Sequence, residues 1–551
     1  MSEPARQEVA ALAAAYLRAH CEAHPHEAVW LGFHEYDGRL PDLSRPALEA
    51  RAAELLRFLD DLQDIDPADL DDLAWLDQRM IYHRAGFEVF VLQDWRQWER
   101  DPLFYLETLD VSNYVLRSYA PLEQRARALI AHLRGMAAVL AAMEENLTQV
   151  SRPVAEVGLR IAGGTVEFLE ADLPQAMVGL RDAGLQDELE QARREAVARM
   201  EKAVAWLRDE LLPRANADYA LGAERFARML WLGEAIDLPL ERLWQVAESD
   251  LARNKAAYLE AAGRIGPGRR PQEVIAEGLR RHPAPEDLIP TARGMVNELR
   301  RYISERAIVS VPYDENCIVA ETPSFLRSAF AMMYDAGPFE KVAKEAYFYL
   351  TPPEPDWAAE KTAEWMSAFT YHLLWNTCVH EAWPGHYLHG LYMRNAPSDV
   401  TRAFYTYSSV EAWAHYCEQM MLEMGCRADD PWARMGQLSD ALLRNVRFVS
   451  ALGLHTSGMT VDEAKQRFID DAFMEPATAE EEAMRGAGDP QYLNYTLGKL
   501  LLLKLRADVQ AREGPAFDLR AFHDRFLSYG APPIPLVRAL LLGRDSAGDL
   551  L

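Results

Sequence analysis

One stretch of the chain combines histidine and glutamate at a spacing that could hold a divalent metal and activate water. It reads Asn376-Thr377-Cys378-Val379-His380-Glu381-Ala382-Trp383-Pro384-Gly385-His386. Two imidazoles that bind zinc, beside a glutamate that takes a proton from water, form the zincin arrangement. The common spacing puts the histidines four apart on one helical face. Here they are six apart, and six steps of roughly 100° would leave them about 120° from each other on a regular helix. The insertion contains Pro384 and Gly385. Proline removes a helical N–H and glycine tolerates unusual dihedrals, so a looped-out turn is expected to return His386 to the side of His380.

A third donor is expected from Ser408-Ser409-Val410-Glu411-Ala412-Trp413-Ala414-His415-Tyr416-Cys417-Glu418. Glu411 follows His386 by 25 residues, room for a helix, a turn and a return. A carboxylate from a second helix completes a catalytic zinc site and leaves one position open. His415, one turn on, shares the face of Glu411 and is either a ligand itself or a partner behind one; Glu418 is expected on solvated surface. Histidine is also concentrated here. Six of the 14 (His372, His380, His386, His389, His415 and His455) fall between 372 and 455, where even spacing would place about two.

The elements that must position these residues read mostly as helix. Residues 45–64, 122–147 and 186–212 repeat Leu, Ala, Ile and Met at three- and four-residue intervals, the mark of amphipathic helices. A further helix is expected to start after Pro355 and run to His380, with Met366, Phe369 and Leu373 as its stripe. Short β-prone runs occur at 317–320 and at 347–350. The expected architecture is mainly α, with an N-terminal helical lobe over 1–305, a zinc-binding lobe over 306–551 and a small sheet at the entrance to the site. The 347–350 run is expected to offer an edge to which an extended peptide adds as a strand. Arg444, Arg447, Arg485 and Lys499 are candidates for holding a substrate's terminal carboxylate.

Composition narrows the partners. The 551 residues carry 85 acidic against 58 basic side chains, a formal charge of -27. That surplus repels phosphate backbones and anionic lipid, so neither nucleic acid nor membrane is expected as a partner. No run is read as long and apolar enough to span a bilayer. Five cysteines, an odd number without a CxxC pair, argue for a reducing compartment, and the cytoplasm is the expected location.

The segments HEAWPGH (380–386) and EAWAHYCE (411–418) resemble the paired motifs of the bacterial domain-of-unknown-function 885 family, a group placed among the gluzincin metallopeptidases. The likeness covers nearly the whole chain. It includes Leu31-Gly32-Phe33-His34-Glu35-Tyr36-Asp37, Glu321-Thr322-Pro323, the stretch from Arg447 to His455, Tyr495 to Gly498, and Phe522-His523-Asp524 through Pro533. The resemblance implies a large helical body with a deep channel. It also implies zinc held by His380, His386 and Glu411, Glu381 as general base, and Tyr495 and His455 as donors to the developing oxyanion. One departure bears on His455. The family pattern Arg-x-x-x-Asp-x-Gly-x-His has Ala451 at the Asp position, so either the role of this histidine is weakened or another carboxylate substitutes. The implied activity is zinc-dependent hydrolysis of short peptides, of oligopeptidase or carboxypeptidase type. Alternatives are a zinc amidohydrolase acting on small acylated amino acids or other amides, and a non-enzymatic helical scaffold with a vestigial metal site. An intact Glu381 counts against the scaffold, because structural zinc needs no free carboxylate beside its ligands.

Overall fold

The computed structural model describes residues 3–323, 330–544 and 549–551. Helices carry most of the chain, joined by short turns, and their apolar stripes meet in two cores. The first is built mainly from residues between Val9 and Leu211, and the second from Phe90 and residues between Leu221 and Leu541. The two cores part near 212–220, whereas the lobes expected from the sequence meet at 305. Helices Ala223–Glu234, Leu240–Ile265 and Leu288–Glu305 belong with the second core, because the stripe Leu243, Leu251 and Tyr258 lies along the long helix Pro431–Thr456. Val400, Ala403, Phe404 and Leu536 cross over into the first core and tie the lobes into one body.

Helices at Arg45–Gln63 and Leu122–Asn146 match the expected spans. The third begins at Ala183, earlier than its apolar pattern, because the Asp182 side chain accepts the Leu185 N–H at 3.1 Å and caps the first turn. The 122–146 helix is long and apolar enough to cross a bilayer by length and composition, which the sequence reading did not expect of any run. Its stripe of Leu129, Leu133, Met136, Leu140 and Met143 is already buried, and it packs against Ala183–Trp206.

The helix expected from Pro355 to His380 is divided into Ala359–Met366 and Tyr371–Glu381. Thr370 supplies the break, its hydroxyl accepting the Leu373 N–H. The small sheet has the order β1 (Ile318–Glu321), β3 (Tyr347–Leu350), β2 (Ala331–Tyr334), with β1 parallel and β2 antiparallel to β3. The 347–350 run is therefore the central strand, hydrogen-bonded on both sides, and offers no edge. Its all-apolar character, which made it legible as a strand, is that of a strand covered by neighbours. The edge beside the helix Tyr371–Glu381 is β2, whose Ala-Met-Met-Tyr sequence carries little β signal.

Candidate metal centre

The helix Tyr371–Glu381 ends immediately after His380-Glu381, and a new helix, His386–Met393, starts at His386. Between them Trp383-Pro384-Gly385 turns the chain through a cis Trp383–Pro384 bond. Gly385 lies so close to the preceding turn that a Cβ there would collide with the His380 carbonyl. The Trp413 indole donates to the Pro384 carbonyl at 2.7 Å and pins the turn. The outcome is the one the Pro-Gly insertion predicts: the His380 and His386 rings stand perpendicular, with centroids 4.7 Å apart.

Glu411 arrives from the helix Tyr407–Glu423. The start of that helix is held by buried Glu234, which accepts the Ser408 N–H and hydroxyl and the Asn494 amide, an anion at a helix N-terminus. Burial pushes the Glu234 carboxyl up to about 7. On the other side Gly498 lets Asn494–Glu513 close on the same helix; a Cβ there would strike the Ser408 carbonyl and the Ala412 methyl.

Glu411 Oε2 lies 3.5 Å from Nε2 of His380 and 3.5 Å from Nε2 of His386. One ligand atom from each of the three residues falls within 4.8 Å of the others. That Glu411 oxygen is buried without a hydrogen-bond partner, an anomaly for a carboxylate unless a cation completes it. Burial pushes the Glu411 carboxyl up, but the two imidazoles outweigh it and hold the group well below the usual carboxylate range. Two nitrogens and one oxygen, each from a different helix, are a donor set that could hold zinc with an open position.

Behind the ligands stands a residue that the sequence reading misplaced. Glu418 is fully buried, not solvated. Its two oxygens accept from His380 Nδ1 at 2.7 Å and from His415 Nδ1 at 3.1 Å, with Arg444 Nη1 at 3.3 Å. Seven residues, two helical turns, after Glu411, it shares the inward face, and that periodicity was the available signal. Its bond leaves His380 Nε2 free for metal, the tautomer a ligand needs. His415, bonded to the same carboxylate, falls outside the group whose ligand atoms converge.

Glu381, beside His380, accepts the Met333 N–H of β2 at 3.0 Å. Tyr495 stands next to the site, its ring 5.4 Å from Tyr407 and under the guanidinium groups of Arg444 and Arg447. His455 is not brought to the cluster. It lies eleven residues beyond Arg444 on the same helix, about 16 Å along its axis. Its Nε2 donates to the Gly486 carbonyl at 2.8 Å, and its ring packs against Phe226. The partner absent at Ala451 is thus replaced by a backbone carbonyl, which holds a packing role and not an oxyanion one. Arg447 is committed to a two-pronged bond with Glu482, 2.7 Å on each arm. Lys499 is fully buried 3.9 Å from Asp250, and Arg444 belongs to the Glu418 network. Of the four cations expected to hold a carboxylate, only Arg485 is substantially exposed.

A second trio, His20, His24 and Glu88, has comparable spacing and was not singled out from the sequence, although His20 and His24 stand one turn apart. Its carboxylates are already neutralised. Glu88 takes both arms of Arg51, at 2.8 and 3.1 Å, and Glu27 pairs with Arg84 at 3.1 Å. Around His380, by contrast, Arg444 faces Glu418 and Asp440, while the Glu411 oxygen has no hydrogen-bond partner. Charge thus separates an ion-pair network from a cation site.

The fold and this centre define a class: a mainly α protein with two histidines and a glutamate converging on one point, backed by a buried carboxylate. The chain matches the family described as bacterial protein of unknown function (DUF885) over residues 25–541, and it belongs to that family. A structure from Shewanella oneidensis, described as a candidate lipoprotein of unknown function, is similar at 23% identity and a TM-score of 0.81, covering 97% of this chain and 99% of that one. A candidate lipoprotein from Colwellia psychrerythraea is similar at 18% identity and a TM-score of 0.80, covering 98% of each chain. These likenesses are of fold. A search of functionally curated proteins found no match.

Proposed function

We propose that this protein is a zinc-dependent peptidase of the gluzincin kind, acting on short peptides. The observation that carries the reading is the convergence of His380, His386 and Glu411 on one point, with the Glu411 oxygen otherwise orphaned. Zinc at that point would supply Lewis acidity, polarising a carbonyl and acidifying water. Glu381, next in sequence to His380, is the base that takes the water's proton and returns it to the departing amine, a role contributing about 10²–10⁴ in rate. The Tyr495 hydroxyl, free of any hydrogen bond among the described residues, is the donor for the developing oxyanion. Edge strand β2 aligns an extended substrate, since Met333 already directs its N–H to Glu381 and a peptide can add along that edge.

Elemental analysis of the purified chain is expected to find close to one zinc per molecule, lost in His380→Ala. Glu381→Gln keeps the metal and loses cleavage of a peptide library read by mass spectrometry. A wild type that binds no divalent ion, or a Glu381→Gln variant with full turnover, would end the proposal. We also propose a reducing, cytoplasmic setting, since all five cysteines are buried free thiols. Recovery in a membrane fraction would instead align this chain with the lipoprotein description of its structural neighbours.

A further inference from the structure

Two connected cavities lie on the side of the molecule where β2 and the Glu411 helix begin, with none of the three candidate ligands in their walls. The first, about 630 Å³, has Tyr334 and Tyr407 in its wall; Tyr334 follows Met333 on β2, and Tyr407 opens the Glu411 helix one turn before that ligand. The second, about 550 Å³, shares Phe87, Glu107 and Gln491 with the first, so the two meet at those side chains. Their walls carry eight carboxylates against three arginines. Each arginine is already matched: Arg84 with Glu27, Arg160 with Glu481 and Arg485 with Asp489.

Glu107, at the junction, is the exception. Its side chain is exposed to the cavities and makes no hydrogen bond or ion pair among the described residues. Burial in the concave wall, then the carboxylates of Asp101, Asp489 and Glu27, push it up to about 7, the mark of uncompensated negative potential. Two further features suit a cation. His132, 1% exposed, lines the first cavity with no hydrogen bond to either ring nitrogen; burial pushes it down to about 4, so it is a neutral ring with a lone pair to offer. Trp30 and Tyr405 expose 40% and 48% of their surface on the same wall, with ring centroids 6.1 Å apart, faces available to an ammonium or guanidinium. A low-dielectric cleft of one sign concentrates ligands of the other.

We propose that Glu107 binds a positively charged group of the substrate, so that the protein selects peptides carrying a free amino terminus or a basic side chain. This rests on the peptidase reading of the metal centre. The Arg485 guanidinium, the remaining candidate for an anionic substrate group, already donates to the Asp489 carboxylate at 3.3 Å and to the Tyr407 hydroxyl at 3.1 Å.

The test presents the zinc-loaded full-length protein and Glu107→Gln with peptides of equal length. These carry Lys, Gln or Glu at successive positions, with free or acetylated amino termini. Cleavage is followed by mass spectrometry, and binding to the Glu381→Gln variant by fluorescence anisotropy. KM for basic peptides should lie about tenfold below that for acidic ones. Glu107→Gln should remove most of that gap, with kcat, zinc content and melting temperature unchanged. Salt should narrow it. Preference for lysine in acetylated peptides identifies a basic side chain as the bound group; preference for the free amine in peptides without lysine identifies the terminus. Equal KM for basic and acidic peptides, or a gap untouched in Glu107→Gln, overturns the proposal. If no peptide is cleaved while lysine peptides still bind selectively, the peptidase reading falls and the cation subsite stands; unselective binding removes the subsite.

Discussion

Glu418 shows how much of a candidate metal site lies outside its three converging donors. A histidine ligates through one nitrogen only if the other is fixed as a donor, and Glu418 fixes Nδ1 of His380 at 2.7 Å. Glu418→Gln is expected to keep the fold and weaken zinc about 10–100-fold in competition with a chelator; unchanged affinity would leave the carboxylate a packing role. Tyr495→Phe removes a hydroxyl that no group among the described residues uses, so stability should barely move, while kcat/KM on a cleaved peptide falls about 10²–10³-fold. The His380-Glu381…His386 motif and Glu411 were legible because ligation demands particular side chains at particular spacings. Glu418 was not, because an acidic residue on a helix gives the same letter whether it faces water or a ligand. His455 failed for a related reason: a histidine near the site in sequence ended eleven residues away along a straight helix, bonded to Gly486.

At the scale of elements, the helix Tyr407–Glu423 is held by contacts that leave little freedom. Glu234 grips its first turn, and Glu234→Ala would leave the Ser408 N–H and the Asn494 amide buried without an acceptor. That change should cost about 2–4 kcal/mol, read as a lower urea midpoint. Gly498→Ala places a methyl against the Ser408 carbonyl and should cost about 1–3 kcal/mol, with the 494–513 helix displaced and Tyr495 carried with it. If peptide turnover survives Gly498→Ala unchanged, the position of Tyr495 is not critical. Two of the long amphipathic helices, Arg45–Gln63 and Leu122–Asn146, were readable from their stripes to within a residue, since burial of one face imposes the period. The break at Thr370 and strand β2 were not, because a single cap and a four-residue Met-rich edge are decided by neighbours far along the chain.

For the whole molecule, buried histidines set the response to acid. His523 lies fully buried on the helix Leu519–Ser528, bonded to the Ile308 carbonyl and the Tyr416 hydroxyl at 2.8 Å each. Burial pushes it down to about 4. An unfolded chain protonates this ring near its ordinary value of about 6.5 and the folded chain does not. The contribution of His523 is therefore full above pH 6.5 and is lost as pH falls towards 4. The stability gap between wild type and His523→Gln should be widest at neutral pH and narrow through that window; a gap independent of pH would show that the ring titrates alike in both states. The sequence by itself determined the helical class, the likeness to the 885 family and the candidate metal-binding trio, because periodic burial and the donor types that ligation requires are written in residue type and spacing. Only the tertiary structure decided where the two cores divide, that β3 is covered on both sides, that Glu418 backs His380, and that Glu107 stands unpaired where two cavities meet. Burial and charge compensation are properties of neighbours, and neighbours from distant parts of the chain are chosen by packing.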